Sequence, residues 1–108
     1  MIQIYINNYL CLVGQNKKEN WSLLDNSRES DILFHLSSFP SCYVILKATD
    51  IPPKEVIFKC AELCRSNTKY KNLKNIKVDY SFCSNITKGD NVGELEYKSN
   101  KKVSTILV

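Results

Sequence analysis

The sequence predicts a single α+β domain: a largely antiparallel sheet of about six strands with one long helix and one short one. Three observations lead there. The length, 108 residues, has room for one core and little more. Apolar residues at 44% and charged residues at 24% are ordinary globular values, which argues against wholesale disorder. Short β-type runs punctuated by turn residues recur along the chain, whereas only the segment 53–66 carries a strong helical period.

The runs IQIYI and YLCLV are separated by Asn7 and Asn8. Asparagine tolerates the left-handed backbone of a tight turn, so the two runs form a first hairpin, and Gly14 ends it. KKENWSLLD spaces Trp21 and Leu24 three apart with Leu23 beside them, which predicts the short helix. DILFHL puts Ile32, Phe34 and Leu36 on one face and Leu33 and His35 on the other. A strand apolar on both faces is covered on both sides. SSFPS is a turn, and CYVILK is the next strand, paired with the last as a central hairpin. The long helix follows Pro52 and Pro53, with Glu55 near its positive end. Ile57, Cys60, Ala61 and Cys64 fall at i, i+3, i+4 and i+7, widened by Val56 and Leu63. IKVDYSF alternates Ile76, Val78, Tyr80 and Phe82 against Lys77, Asp79 and Ser81, which predicts one core face and one wet face. Lys88-Gly89-Asp90-Asn91 signals a turn, Gly93 opens a new strand, SNKK turns again, and VSTILV closes the sheet.

Charge is unevenly placed. Residues 1–53 hold four basic and five acidic side chains, and residues 54–108 hold eleven and six, so the net of +4 resides in the second half. That half is the face for an acidic partner, nucleic acid or an anionic surface, or else a solvated surface without a partner. Five cysteines, an odd count, with no signal peptide before them, predict free thiols in a reducing, cytoplasmic compartment. On that reading the sequons at Asn20 and Asn85 are chance matches. No run approaches the ~18 apolar residues a membrane span needs.

Few residues carry chemistry. His35 is the only histidine. Asp31 lies about 13 Å from it along a regular strand, too far to act with it. His35 is read first as a partly buried ring whose nitrogens bond to the backbone, and second as a polar contact to nucleic acid. Cys60 and Cys64 lie on the apolar stripe without a Cys-x-x-Cys pair, so they read as small hydrophobes rather than metal ligands. No catalytic set and no cofactor motif can be assembled. The basic series Arg65, Lys69, Lys71, Lys74 and Lys77 runs without an acid and suits a phosphate backbone. Lys17, Lys18 and Lys88 join it if the fold brings the hairpin ends together, and Tyr70 is placed to stack on an unpaired base. Trp21 reads as core before base stacking, and Gly14 and Gly93 as turn residues.

Several of these segments resemble the NFACT RNA-binding domain. Gly14-Gln15-Asn16 with Glu19-Asn20 and Leu23 is similar to its opening motif. Asp31-Ile32-Leu33-Phe34-His35 resembles its Asp-x-Trp-Phe-His strand, and Pro40-Ser41-Cys42-Tyr43-Val44 falls where it has Pro-Gly-Ser-His-Val. Ile51 to Val56, Cys60-Ala61 and Asn67 resemble its helix; Val78, Tyr80, Lys88 and Gly93 fit its final strands. The likeness covers nearly all of residues 1–108 and is closest to the standalone eukaryotic form. Leu33 stands in place of the tryptophan, Tyr43 in place of the second histidine, and Gln15 where a basic residue is usual. The resemblance implies a non-catalytic module that binds RNA, tRNA or rRNA on the large ribosomal subunit, in the manner of the family's multidomain members in translation quality control. It also leaves DNA as a partner, since standalone members include a DNA-sensing form. Under the RNA reading the contacts are Arg65, Lys69, Lys71, Lys74, Lys88, Lys17 and Lys18 on phosphates, with Asn16, Asn20 and His35 as polar groups. The competing reading is a protein-interaction adaptor whose nucleic-acid site has degenerated.

Overall fold

The computed structural model describes residues 1–108. Six strands form one antiparallel sheet: β1 (Ile2–Ile6), β2 (Tyr9–Val13), β3 (Ile32–Leu36), β4 (Val44–Leu46), β5 (Lys77–Phe82) and a last strand, Ser104–Leu107. Two further strands, β6 (Ile86–Lys88) and β7 (Leu95–Tyr97), pair only with each other, so the last strand of the sheet is β8. The spatial order is β1-β2-β4-β3-β5-β8. Helix α1 spans Lys17–Asp25 and α2 spans Lys54–Ser66. The predicted α+β class, the two helices and the six-stranded antiparallel sheet are all present.

Local chemistry accounts for most elements. Ile6 faces Tyr9 across a two-residue turn in which Asn7 and Asn8 have φ of 47° and 72°, the left-handed pair such a hairpin needs. Asn16 caps α1 by accepting the Glu19 N–H at 2.9 Å, and the Glu19 carboxylate reaches back to the Gln15 N–H at 3.0 Å. In α2 the expected stripe of Val56, Ile57, Cys60, Ala61 and Cys64 is buried.

Both faces of the sheet are covered, as the two-sided apolar pattern of β3 requires. On one side α2 packs over Cys11, Val13, Ile32, Phe34, Leu36, Val44, Leu46 and Val78. On the other, α1 and the β6–β7 ribbon close over Leu33, Tyr43, Ile45 and Cys83. Cys60 meets Cys11 sulfur to sulfur at 3.5 Å, and Cys64 lies against Cys42, all as free thiols. The contact with Cys11 together with burial pushes the Cys60 thiol up, so it stays protonated in the core.

One strand departs from its pattern. The alternation of β5 predicted a wet face of Lys77, Asp79 and Ser81, yet Ser81 is buried and Phe82 is 48% exposed. The chain turns at Cys83–Asn85 and folds the ribbon back across that face. Ser81 donates to the Lys102 carbonyl and accepts from the Asn85 amide, so its burial is satisfied. Asp79 accepts from the Ser37 and Thr105 hydroxyls at 2.6 and 2.8 Å.

Asp31 is fully buried just before β3 and holds the turn into it. It accepts from Lys47 Nζ at 2.6 Å and from the N–H groups of Arg28 and Ala48 at 2.9 and 3.2 Å. Burial alone would raise its carboxyl, but Lys47 and the two backbone donors outweigh that and hold it below the usual range. A depressed carboxylate stabilises the fold fully above its unfolded value of about 3.9 and loses that contribution as pH falls through the native value. Asp31→Asn should therefore cost about 3 kcal/mol at pH 7 in urea denaturation. On moving to pH 3 the variant should lose less stability than the parent; equal losses would show that Asp31 does not carry the acid sensitivity.

Candidate nucleic-acid interface

The site forms where three loops meet at one end of the sheet. Gly14 ends β2, Asn16 starts α1, Pro40–Cys42 precedes β4, and Asn67–Lys69 follows α2. Together with Ile2, Val13, Gln15, Lys17 and Asn20 they enclose a cleft of about 520 Å³. Two lysines, Lys17 and Lys69, and no acidic residue line its wall; the adjacent Glu19 carboxylate bonds the Gln15 N–H and pairs with the N-terminal amine. Neither lysine has an acidic partner within ion-pair distance.

Asn20 builds this end. Its side-chain oxygen accepts the Tyr43 N–H at 3.1 Å, while the Gly14 N–H donates to the Tyr43 carbonyl at 3.0 Å. Tyr43 is thus held by both main-chain groups. A Cβ on Gly14 would stand 2.1 Å from the Asn20 oxygen, so only glycine admits that side chain. The Tyr43 hydroxyl donates to the Gly93 carbonyl at 2.7 Å, and Trp21 Nε1 donates to the Glu94 carbonyl at 2.8 Å, which fastens the ribbon to α1. Gly93 has φ of 92°, and a Cβ there would meet Lys17 at 2.9 Å. Burial pushes the Tyr43 hydroxyl up to about 12, so it remains a donor.

A second cavity of about 920 Å³ opens on the ribbon side and shares Lys17, Asn20, Pro40 and Ser41 with the first. Its electrostatics are opposite: Asp79, Asp90, Glu94 and Glu96 line it. His35 belongs to this acidic cavity, its ring edge-on to Tyr43 at 5.7 Å. Burial lowers its pKa, so the imidazole is neutral at pH 7.

Of the ten residues expected to contact nucleic acid, Asn16, Asn20, Lys17 and Lys69 come together in the cationic cleft. The side-chain oxygens of Asn16 and Asn20 are already engaged, in the helix cap and on Tyr43. Lys18, Lys71 and Lys74 are exposed outside it. Arg65 turns inward and donates to the Leu73 carbonyl at 3.3 Å, closing the loop after α2. Lys88 pairs with Asp25 at 3.0 Å and lies 5.1 Å from the centroid of the Trp21 ring. Ser41 and Asn67, which carry the family likeness, and Thr68 also line the wall; polar groups in separate loops carry no local signal of convergence.

These features define a small α+β domain with a cleft lined by two lysines and no acidic residue. The chain belongs to the NFACT RNA-binding domain family, whose model matches residues 2–99. It is similar to coiled-coil domain-containing protein 25 of Bos taurus and of Mus musculus, each 32% identical over 93% of this chain and 52% of theirs. A Dictyostelium discoideum homolog of that protein is 27% identical over 91% of this chain. The chain therefore spans about half the length of the curated relatives it matches. The C-terminal part of the fibronectin/fibrinogen-binding protein of Streptococcus suis has the same fold, with a TM-score of 0.87 and 23% identity over 98% of this chain and 43% of that one.

Two outcomes follow from the geometry. Gly14→Ala should displace Asn20 and lower stability by about 1–3 kcal/mol, read by thermal unfolding; an unchanged melting temperature would mean the contact is not needed. The His35 ring protons should titrate by NMR with a midpoint below the usual value of about 6.5. A midpoint at or above that value would contradict the half-buried, neutral ring.

Proposed function

We propose that this chain is a non-catalytic RNA-binding module that holds an RNA backbone in the cationic cleft. One observation carries the reading. Wall residues from three distant segments, Gly14–Lys17 with Asn20, Pro40–Cys42 and Asn67–Lys69, bring together two lysines without an acidic partner, while the one nearby carboxylate, Glu19, is paired with the N-terminal amine. A polyanion gains from such a groove by releasing counterions, and the loop backbones supply polar groups that fix its register. The exposed Lys18, Lys71 and Lys74 extend the positive surface beyond the cleft and contribute to steering. Family membership supports RNA over DNA as the partner. The multidomain members' work on the large ribosomal subunit supports tRNA or rRNA, in the cytoplasm, as the natural ligand.

A protein-interaction adaptor is the second reading, and one feature favours it. Ile51 is 87% exposed and Phe82 48%, beside a hollow of about 240 Å³ on the α2 side of β5 and β8.

Fluorescence anisotropy with labelled tRNA and with duplex DNA, at two salt concentrations, separates the readings. Lys17→Glu with Lys69→Glu should weaken tRNA binding by at least about tenfold and flatten its salt dependence, by ~0.7–0.9 in log–log slope per lost phosphate contact. Charge reversal at Lys101 and Lys102, remote from the cleft, should change affinity little. Equal effects from both pairs, or no tRNA binding by the parent, would sink the RNA reading.

A further inference from the structure

The loop between β3 and β4 and the loop after α2 each contribute one ring to an aromatic pair at the rim of the cationic cleft. Phe39 and Tyr70 have centroids 4.3 Å apart and planes tilted by 31°. Tyr70 is the inner ring. It packs on the α2-side core, and the Lys69 ammonium lies 5.5 Å from its centroid. Phe39 is the outer ring, 36% exposed and part of neither core. Pro40, next to Phe39, and Lys69, next to Tyr70, both line the cleft. The sequence alone pointed to Tyr70 as a stacking surface, but Phe39 lies against it and is the more exposed of the two rings.

A ring braced from behind by a second ring, beside cations that hold phosphates, matches how single strands are bound. The backbone follows the positive groove and an unpaired base lies on the π-face. A duplex cannot present that face, because its bases are stacked within the helix. Phenylalanine offers no hydrogen bond, so such a platform accepts any base with little sequence preference.

We infer that Phe39 is a base-stacking platform and that the cleft takes single-stranded RNA, with phosphates over Lys17 and Lys69 and one unpaired base on Phe39. This rests on the RNA-binding reading and narrows it to unpaired strands, such as loops and ends of structured RNA. Phe39 also shields Tyr70, and a purely shielding role would leave discrimination between bases and bare phosphate untouched.

The test uses three probes: a labelled single-stranded RNA of about ten nucleotides, the same sequence as a duplex, and inorganic polyphosphate as a competitor without bases. The parent should prefer the single strand. Phe39→Ala should weaken single-strand binding by about tenfold, the size of one lost stack, and leave polyphosphate competition unchanged. Phe39→Trp should restore it, and 2-aminopurine in the strand should be quenched by the parent and not by Phe39→Ala. Lys69→Glu should weaken RNA and polyphosphate together. Unchanged single-strand affinity in Phe39→Ala, or equal losses for RNA and polyphosphate, would overturn the platform while leaving the cationic cleft intact. Failure of the parent to bind either RNA or polyphosphate would overturn both readings.

Discussion

The arrangement of the cleft end of the sheet depends on how Tyr43 is held. Gly14 donates to its carbonyl, Asn20 accepts its N–H, and its hydroxyl donates to Gly93. These three bonds join β2, α1, the strand β4 and the ribbon at one residue that is fully buried. A buried N–H left without a partner costs about 1–3 kcal/mol. The position of α1 is therefore tied to the loop before β4, and Lys17 is carried with it. The missing Cβ at Gly14 is what permits the approach, since the Asn20 oxygen occupies the space a methyl would need.

The same bracket sets two opposite fields side by side. One cavity has Lys17 and Lys69 and no acid; its neighbour has four carboxylates and shares Lys17. A polyanion is drawn to the first and repelled from the second. His35 lies on the repelling side, where burial keeps it neutral and its ring stands edge-on to Tyr43. The bulk charge of +4 conveys none of this, because placement within a few ångströms sets the local field. Lys88, close in sequence to the ribbon turn, pairs with Asp25 and lies over the Trp21 ring, linking the ribbon to α1.

Elements governed by near neighbours were legible in the sequence. Asn7-Asn8 announces its turn because few other residues adopt positive φ, and the α2 stripe announces its buried face through its period. Features made by distant segments were not. Ser81 looks like a solvent residue by alternation, and only the ribbon folding over β5 buries it. Arg65 looks like a free cation until the loop it precedes presents the Leu73 carbonyl. Asn16, which looks like a ligand group, spends its oxygen on the α1 cap. The family motifs fared better, because Gly14, Asn16, Asn20, Pro40 and Asn67 converge on one cleft although no local rule says they should.

The most direct measurement is a titration of isotope-labelled protein with single-stranded RNA, followed through backbone amide shifts in two-dimensional NMR. The account predicts the largest changes at Gly14–Lys17, Ser41–Cys42 and Asn67–Lys69, with the acidic cavity around Asp90–Glu96 unmoved. Changes centred instead on Ile51–Lys54, Phe82 and Lys102, or spread evenly over all exposed lysines, would contradict it.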